Sequence, residues 1–230
     1  GLTNLDYYLR SFMNVAQAMQ SRYATKVFDA DKKIAHEDVA QLLSVLRNAP
    51  SSVNTQPWHF IIASTEAGKA RINSGATGPY AYNAPKVSGA SHVIVLCSKI
   101  HMDDEYLTQL LEQEETDGRF AKDPSFKATY HKVRSTFVDL HRYELKDTQH
   151  WMEKQVYLNL GALLTSAAIM GVDALPMEGF DFPALDAEFD LRGQNLAPVA
   201  VVALGYRTET DFNATLPKSR FTAEQIFTQI

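Results

Sequence analysis

Apolar residues recur at helical spacing through Val39, Leu42, Leu43, Val45 and Leu46, behind an acidic first turn at Glu37 and Asp38, and predict a helix that Pro50 ends. Ser51 to Pro57 read as a polar, turn-rich loop, and the run His59 to Ser64 as a strand. Further strands are predicted at His92 to Ser98, around Ala174 to Met177, and at Ala197 to Leu204. Runs this continuously apolar belong inside a sheet covered on both faces. Residues 102–118, 122–146 and 151–170 carry helical periodicity. The last is apolar from Val156 to Met170 except at Asn159, Thr165 and Ser166, which places it centrally. Helices layered on a sheet follow, with strand direction left open. No repeat or linker divides the chain, so residues 13–230 read as one domain, with residues 1–12 as an extension or an added helical turn ahead of Met13.

Composition narrows the function. With 230 residues, 45% of them hydrophobic, the chain can bury a sizeable core. Its 22 Lys and Arg against 27 Asp and Glu give no basic excess for nucleic acid, so any anion must be bound locally. Cys97 is the one cysteine, which excludes an intrachain disulfide and Cys-pair zinc sites and suits a cytoplasmic setting. No apolar run reaches membrane-span length, and no secretory leader is visible. Glycine-rich dinucleotide and P-loop motifs, a G-x-S-x-G elbow and an H-E-x-x-H pair are all missing. The acidic run Glu112, Glu114, Glu115 and Asp117 reads as a solvated helix face rather than a metal site.

Residues suited to phosphates and flat rings concentrate in three stretches: Arg22-Tyr-Ala-Thr-Lys26, Pro50-Ser-Ser-Val-Asn-Thr-Gln-Pro-Trp58 and Leu216-Pro-Lys-Ser-Arg220. Lys218 and Arg220 could fork onto a terminal phosphate, although an ordinary solvated tail would look the same in isolation. Taken with Pro176-Met-Glu-Gly179, Lys154-Gln-Val-Tyr-Leu-Asn159, Asp117-Gly-Arg-Phe120 and Phe212-Asn-Ala-Thr215, the chain closely resembles the nitroreductase family from about Met13 to Arg220.

The resemblance implies an α+β fold with a central mixed sheet covered by helices, and an interlocked homodimer with FMN sites at its interface. In it Arg22, Lys218 and Arg220 hold the FMN phosphate, with Tyr23 and Ala24 beside them where relatives carry His-Ser. Lys26 and Lys86 lie at the pyrimidine edge, where a fixed cation favours the reduced flavin. Asn83 offers donor and acceptor to the imide. Pro176 and Met177 cover one ring face, while the backbone of Glu178 and Gly179 faces the flavin. Pro50, Ser51, Ser52 and Asn54 arrive from the partner, Gln155 reaches the ribityl chain, and Tyr80 and Phe137 border the open face. The implied activity is ping-pong hydride transfer from NADH or NADPH to nitroaromatics, quinones and other flat electron-poor acceptors. A free-flavin reductase, a dihydropteridine reductase and a flavin-binding module without turnover are the alternatives.

Overall fold

The computed structural model describes residues 14–230. The expected extension or helical turn over residues 1–12 lies outside them.

After a short helix, Val15–Ser21 (α1), the first predicted helix runs His36–Asn48 (α2). Glu37 and Asp38 complement the positive end of its dipole, and Ala49 turns extended ahead of Pro50. Then come Trp58–Ala63 (β1), Glu66–Ile72 (α3), Ala84–Gly89 (α4), His92–Lys99 (β2) and Asp104–Thr116 (α5). Phe126–Asp139 (α6), Thr148–Ile169 (α7), Asp173–Met177 (β3), Phe182–Phe189 (α8), Leu196–Gly205 (β4) and Ala223–Ile226 (α9) complete the order.

Among the described residues the strands form one sheet in the order β1-β2-β4-β3. Its three pairings are all antiparallel. The α+β class holds, but the mixed sheet is corrected for the described residues of this chain. A parallel neighbour needs a crossover that brings the chain back to the same end of the sheet. Here the segments 64–91 and 178–195 turn back through short helices and pair each strand with the one before it.

The register explains the unbroken apolar runs. Val93, Val95, Cys97, Val201 and Ala203 enter one core with Ile72 of α3, Val87 of α4 and Leu185 of α8. Ile94, Leu96, Ala200, Val202 and Leu204 enter another with Leu42 and Leu46 of α2 and Val156, Leu160 and Leu163 of α7. Alternate residues serve opposite faces, and both faces are covered. Between Leu96 and Cys97 the partner jumps from Ala200 to Pro198, leaving Val199 unpaired. That bulge lets an interior strand carry a proline, which has no N–H to offer the ladder.

The helix expected over 122–146 is divided. After α6 the backbone widens to π-helical over Leu140–Leu145 and closes on Lys146 in the left-handed region at φ 53°. Its start is delayed past Pro124, whose neighbourhood forms a turn. Helix α7 is central as expected, but only one side is buried. Tyr157, Leu158 and Ile169 face outward at 41%, 49% and 37% exposure. A Cβ on Gly161 would meet nothing within 4 Å. Among the described residues, no helix is long and apolar enough to cross a membrane.

Candidate functional site

The site is assembled first by a backbone clamp. The buried Asp211 carboxylate accepts the N–H groups of Lys26 at 2.6 Å and Val27 at 3.0 Å. Asn213 Nδ2 donates to Ala24 O at 2.8 Å. These bonds bind the extended 22–27 segment to the chain that leads to residues 218–220. Neither clamp residue stands out in the sequence, because a buried Asp on a turn has the same local signature as a solvated one.

Held this way, Arg22, Lys218 and Arg220 share one electrostatic neighbourhood. Burial and then the Arg220 charge hold Arg22 below its ordinary pKa. Lys218 is lowered by burial, then by Arg220 and Arg22. Lys218 Nζ donates to Met19 O at 2.6 Å and Arg220 Nη1 to Ser219 O at 2.6 Å. Among the described residues no carboxylate forms an ion pair with any of the three. Three neighbouring cations, none ion-paired among the described residues, make a site for an anion with several oxygens. Ala24 packs against the core, and Tyr23 stands 5.7 Å from the Arg207 guanidinium beside a cavity of about 430 Å³ shared with Asp173 and Tyr206.

A second cluster forms where β3 ends. Asn83 is buried, donates from Nδ2 to Gly179 O at 2.8 Å and accepts at Oδ1 from Lys86 Nζ at 3.0 Å. A primary amide keeps one further N–H and one further lone pair after those bonds. Lys86 is lowered by burial and then by the charge of Lys26. Gly179 is closely approached by side chains: a Cβ there would lie 2.2 Å from Tyr82 Oη and 3.0 Å from Asn83 Nδ2. Pro176, Met177 and Glu178 line a cavity of about 420 Å³ together with Tyr157, Leu160 and Gly161. Met177 is itself mostly embedded in the core. Tyr157 donates to Glu178 Oε1, and burial followed by that carboxylate pushes the phenol up to about 12. Tyr82 and Tyr157 stand in this cluster and were not singled out in the sequence. Tyr80, which it named, is half-buried two positions before Tyr82.

The remaining expected residues gather elsewhere in the chain. Pro50, Ser51, Ser52 and Asn54 occupy a loop in which Val53, Asn54 and Gln56 have φ of 44°, 57° and 44°. Left-handed backbone at a β-branched residue costs about 1–3 kcal/mol and persists only where its surroundings over-determine it. Gln155 supplies part of that: its Oε1 accepts from Ser52 N at 2.9 Å and Thr55 Oγ1 at 3.1 Å, and its Nε2 donates to Trp151 O at 3.3 Å. Its amide is thus engaged beneath the loop. Phe137 meets Trp151 and His141 edge-on, with centroids 6.0 and 5.2 Å apart. Phe137 and Val53 line a largely apolar cavity of about 680 Å³. Among the described residues no hydrogen bond joins this group to the two clusters above.

Glu114 corrects the reading of the acidic run as wholly solvated. It is buried, 2.7 Å from Arg134 Nη2, and its Oε2 accepts from Asn54 Nδ2 at 3.1 Å. Glu112, Glu115 and Asp117 are exposed. Among the described residues no group of acids, histidines and cysteines could hold a metal ion.

Fold and site together define an α+β protein that presents an uncompensated cation cluster and a lysine-and-amide edge at the end of a sheet. Residues 19–206 match the model of the nitroreductase family. The chain is 48% identical over 217 residues to the oxygen-insensitive NAD(P)H nitroreductase of Enterobacter cloacae, covering 94% of this chain and 100% of that one. It is 32% identical over 213 residues to the major NAD(P)H-flavin oxidoreductase of Aliivibrio fischeri, covering 91% and 95%. An Exiguobacterium sibiricum protein, described as a nitroreductase in complex with FMN, superimposes with a TM-score of 0.76 at 21% identity over 95% of this chain and 98% of its own. This chain belongs to the nitroreductase family.

Proposed function

We propose that the chain is an FMN-dependent NAD(P)H oxidoreductase acting on nitroaromatics, quinones and similar flat, electron-poor acceptors. The observation that carries the reading is the trio Arg22, Lys218 and Arg220: burial and then the Arg220 charge lower both Arg22 and Lys218, and none of the three has an ion-pairing carboxylate among the described residues. A phosphate monoester supplies the missing charge and enough acceptor oxygens for all three. The residues around Gly179 fit the other end of FMN. Lys26 and Lys86 supply two cations at one edge, and Asn83 retains a donor and an acceptor.

When bound, FMN supplies the centre that accepts and returns hydride. The chain supplies binding, orientation and charge. Pro176, with the edge of Met177, closes one side of the flat ring, which leaves one face for donor and acceptor in turn. Lys26 and Lys86 stabilise negative charge at the pyrimidine edge. No side-chain nucleophile is needed, in keeping with the missing hydrolase and metal motifs.

The site extends across two subunits. The loop at Ser51 to Asn54 and Phe137 is not hydrogen-bonded to the cation and lysine clusters, and the outward face of α7 is apolar. A second copy laid on α7 would cover Tyr157, Leu158 and Ile169 and bring its own loop to the first copy's clusters, giving a homodimer with two composite sites. The deciding experiment is an anaerobic absorption spectrum of the protein with FMN, before and after NADH or NADPH. Bleaching, followed by recovery with a nitroaromatic or a quinone, supports the reductase. Recovery with free FMN alone favours the flavin reductase, and failure to hold FMN removes the reading altogether. Parallel double-reciprocal lines are expected, and intersecting ones would exclude alternate use of a single face.

A further inference from the structure

We infer that Glu114, Arg134 and Tyr106 are positioning residues whose task is to hold the strained 51–56 loop, together with Phe137, in the one geometry that completes the partner's cofactor site. The inference rests on the proposed dimeric FMN site.

Every anchor on the far side of the loop comes from α5 and α6. Tyr106 Oη of α5 lies 2.6 Å from Thr55 O and 2.8 Å from Gln56 O, so its single hydrogen is shared between the two carbonyls that flank the left-handed Gln56. Glu114, two turns further along α5, accepts from Asn54 Nδ2 at 3.1 Å. Arg134 of α6 reaches Val53 O at 3.4 Å. Each left-handed residue thus has its own group or its preceding carbonyl tied to α5 or α6. Arg134 sits one turn before Phe137 on the same helix, so it anchors the loop to the helix that carries the aromatic sharing a cavity with Val53.

The ion pair is poorly built for stability. Glu114 and Arg134 side chains are 4% and 0% exposed and meet at 2.7 Å. Yet Arg134 Nε has no acceptor, so the buried guanidinium is only partly satisfied. Buried pairs with unspent donors seldom recover their desolvation cost, and apolar residues of similar volume usually serve the fold as well or better. A pair kept in that condition, with its spare groups on Asn54 and Val53, is explained by what it holds in place.

The test is the double variant Glu114→Leu with Arg134→Met in the full-length protein, compared with wild type for thermal unfolding, FMN affinity by fluorescence quenching and acceptor kinetics. The expected result is an unfolding midpoint equal to or above wild type, FMN affinity about tenfold weaker, the equivalent of one lost charged contact, and a raised acceptor KM with kcat little changed. Wild-type FMN affinity and KM in a folded double variant overturn the inference. An unfolded double variant also counts against it, since the pair would then serve the fold. Tyr106→Phe removes only the hydroxyl and should weaken FMN several-fold with unchanged thermal stability; unaltered affinity overturns the inference independently. If wild type itself holds no FMN, it is the underlying function that fails.

Discussion

Replacing Arg220 with alanine should have opposite effects on the free protein and on its cofactor complex. In the free chain Arg220 lowers both Arg22 and Lys218. Its removal relieves repulsion among three like charges and should raise stability slightly. The gain is small, because Lys218 and Arg220 are exposed and water and salt screen the field. In the complex the same change deletes a charge-assisted contact to phosphate worth about 1.5–3 kcal/mol, a loss of roughly 10- to 150-fold in FMN affinity. Riboflavin, which lacks the phosphate, should bind both proteins equally. Fluorescence titrations of the two flavins at low and high salt, with thermal unfolding of the cofactor-free protein, measure each part. The wild-type preference for FMN over riboflavin should shrink with salt and nearly vanish in Arg220→Ala. If the variant loses FMN and riboflavin alike, the cluster is not the phosphate site and the defect is structural.

Three further perturbations test other parts of the reading. Burial pushes the Cys97 thiol up to about 12, so a thiol reagent in neutral or mildly alkaline buffer should label it only at the rate of unfolding; fast stoichiometric labelling of native protein would contradict its burial. Gly161→Leu projects from α7 into open space, so it should leave one chain folded yet block a second copy, yielding monomers without FMN; an FMN-loaded dimer in sedimentation would place the interface elsewhere. The Tyr157 phenol is held protonated beside Glu178, so it contributes stability that is complete below the unfolded value of 10.0 and lost as pH rises through about 12. Tyr157→Phe should therefore flatten the alkaline fall in stability across that window, and an unchanged slope in denaturant titrations would discount the bond.

How much of this was legible in the sequence depends on whether the signal was local. The four strands were readable because each centres on a short apolar run, and α2 because its acidic start and Pro50 bracket a clear period. Helices α1, α3 and α4 span only six or seven residues, too short for a periodic face, and they went unread. Strand direction is set by how the connections return, which residue types do not encode. Within the site, the motif stretches named nearly every cation and amide that the fold gathers. What they could not reveal is which polar residues are consumed internally. Glu114 looked like surface and is buried against Arg134, while Gln155, expected at the ribityl chain, also carries the loop through Ser52 and Thr55.

That difference bears on how the family's chemistry is held together. The cation trio and the lysine edge are set by side-chain clamps on extended or strand-end backbone, from Asp211, Asn213 and Asn83. The loop that would complete a partner's site is instead set by side chains from α5, α6 and α7, across a backbone with three left-handed non-glycine residues. Strain of that kind is retained only where several independent anchors agree, so losing one should loosen the loop without unfolding the sheet beneath it. Cofactor retention should therefore respond to substitutions in α5 and α6 that core stability ignores. The reverse should hold for the two apolar layers against the sheet, where truncating Leu163 or Leu185 would cost about 2–5 kcal/mol of folding free energy while leaving the site of the surviving folded protein intact.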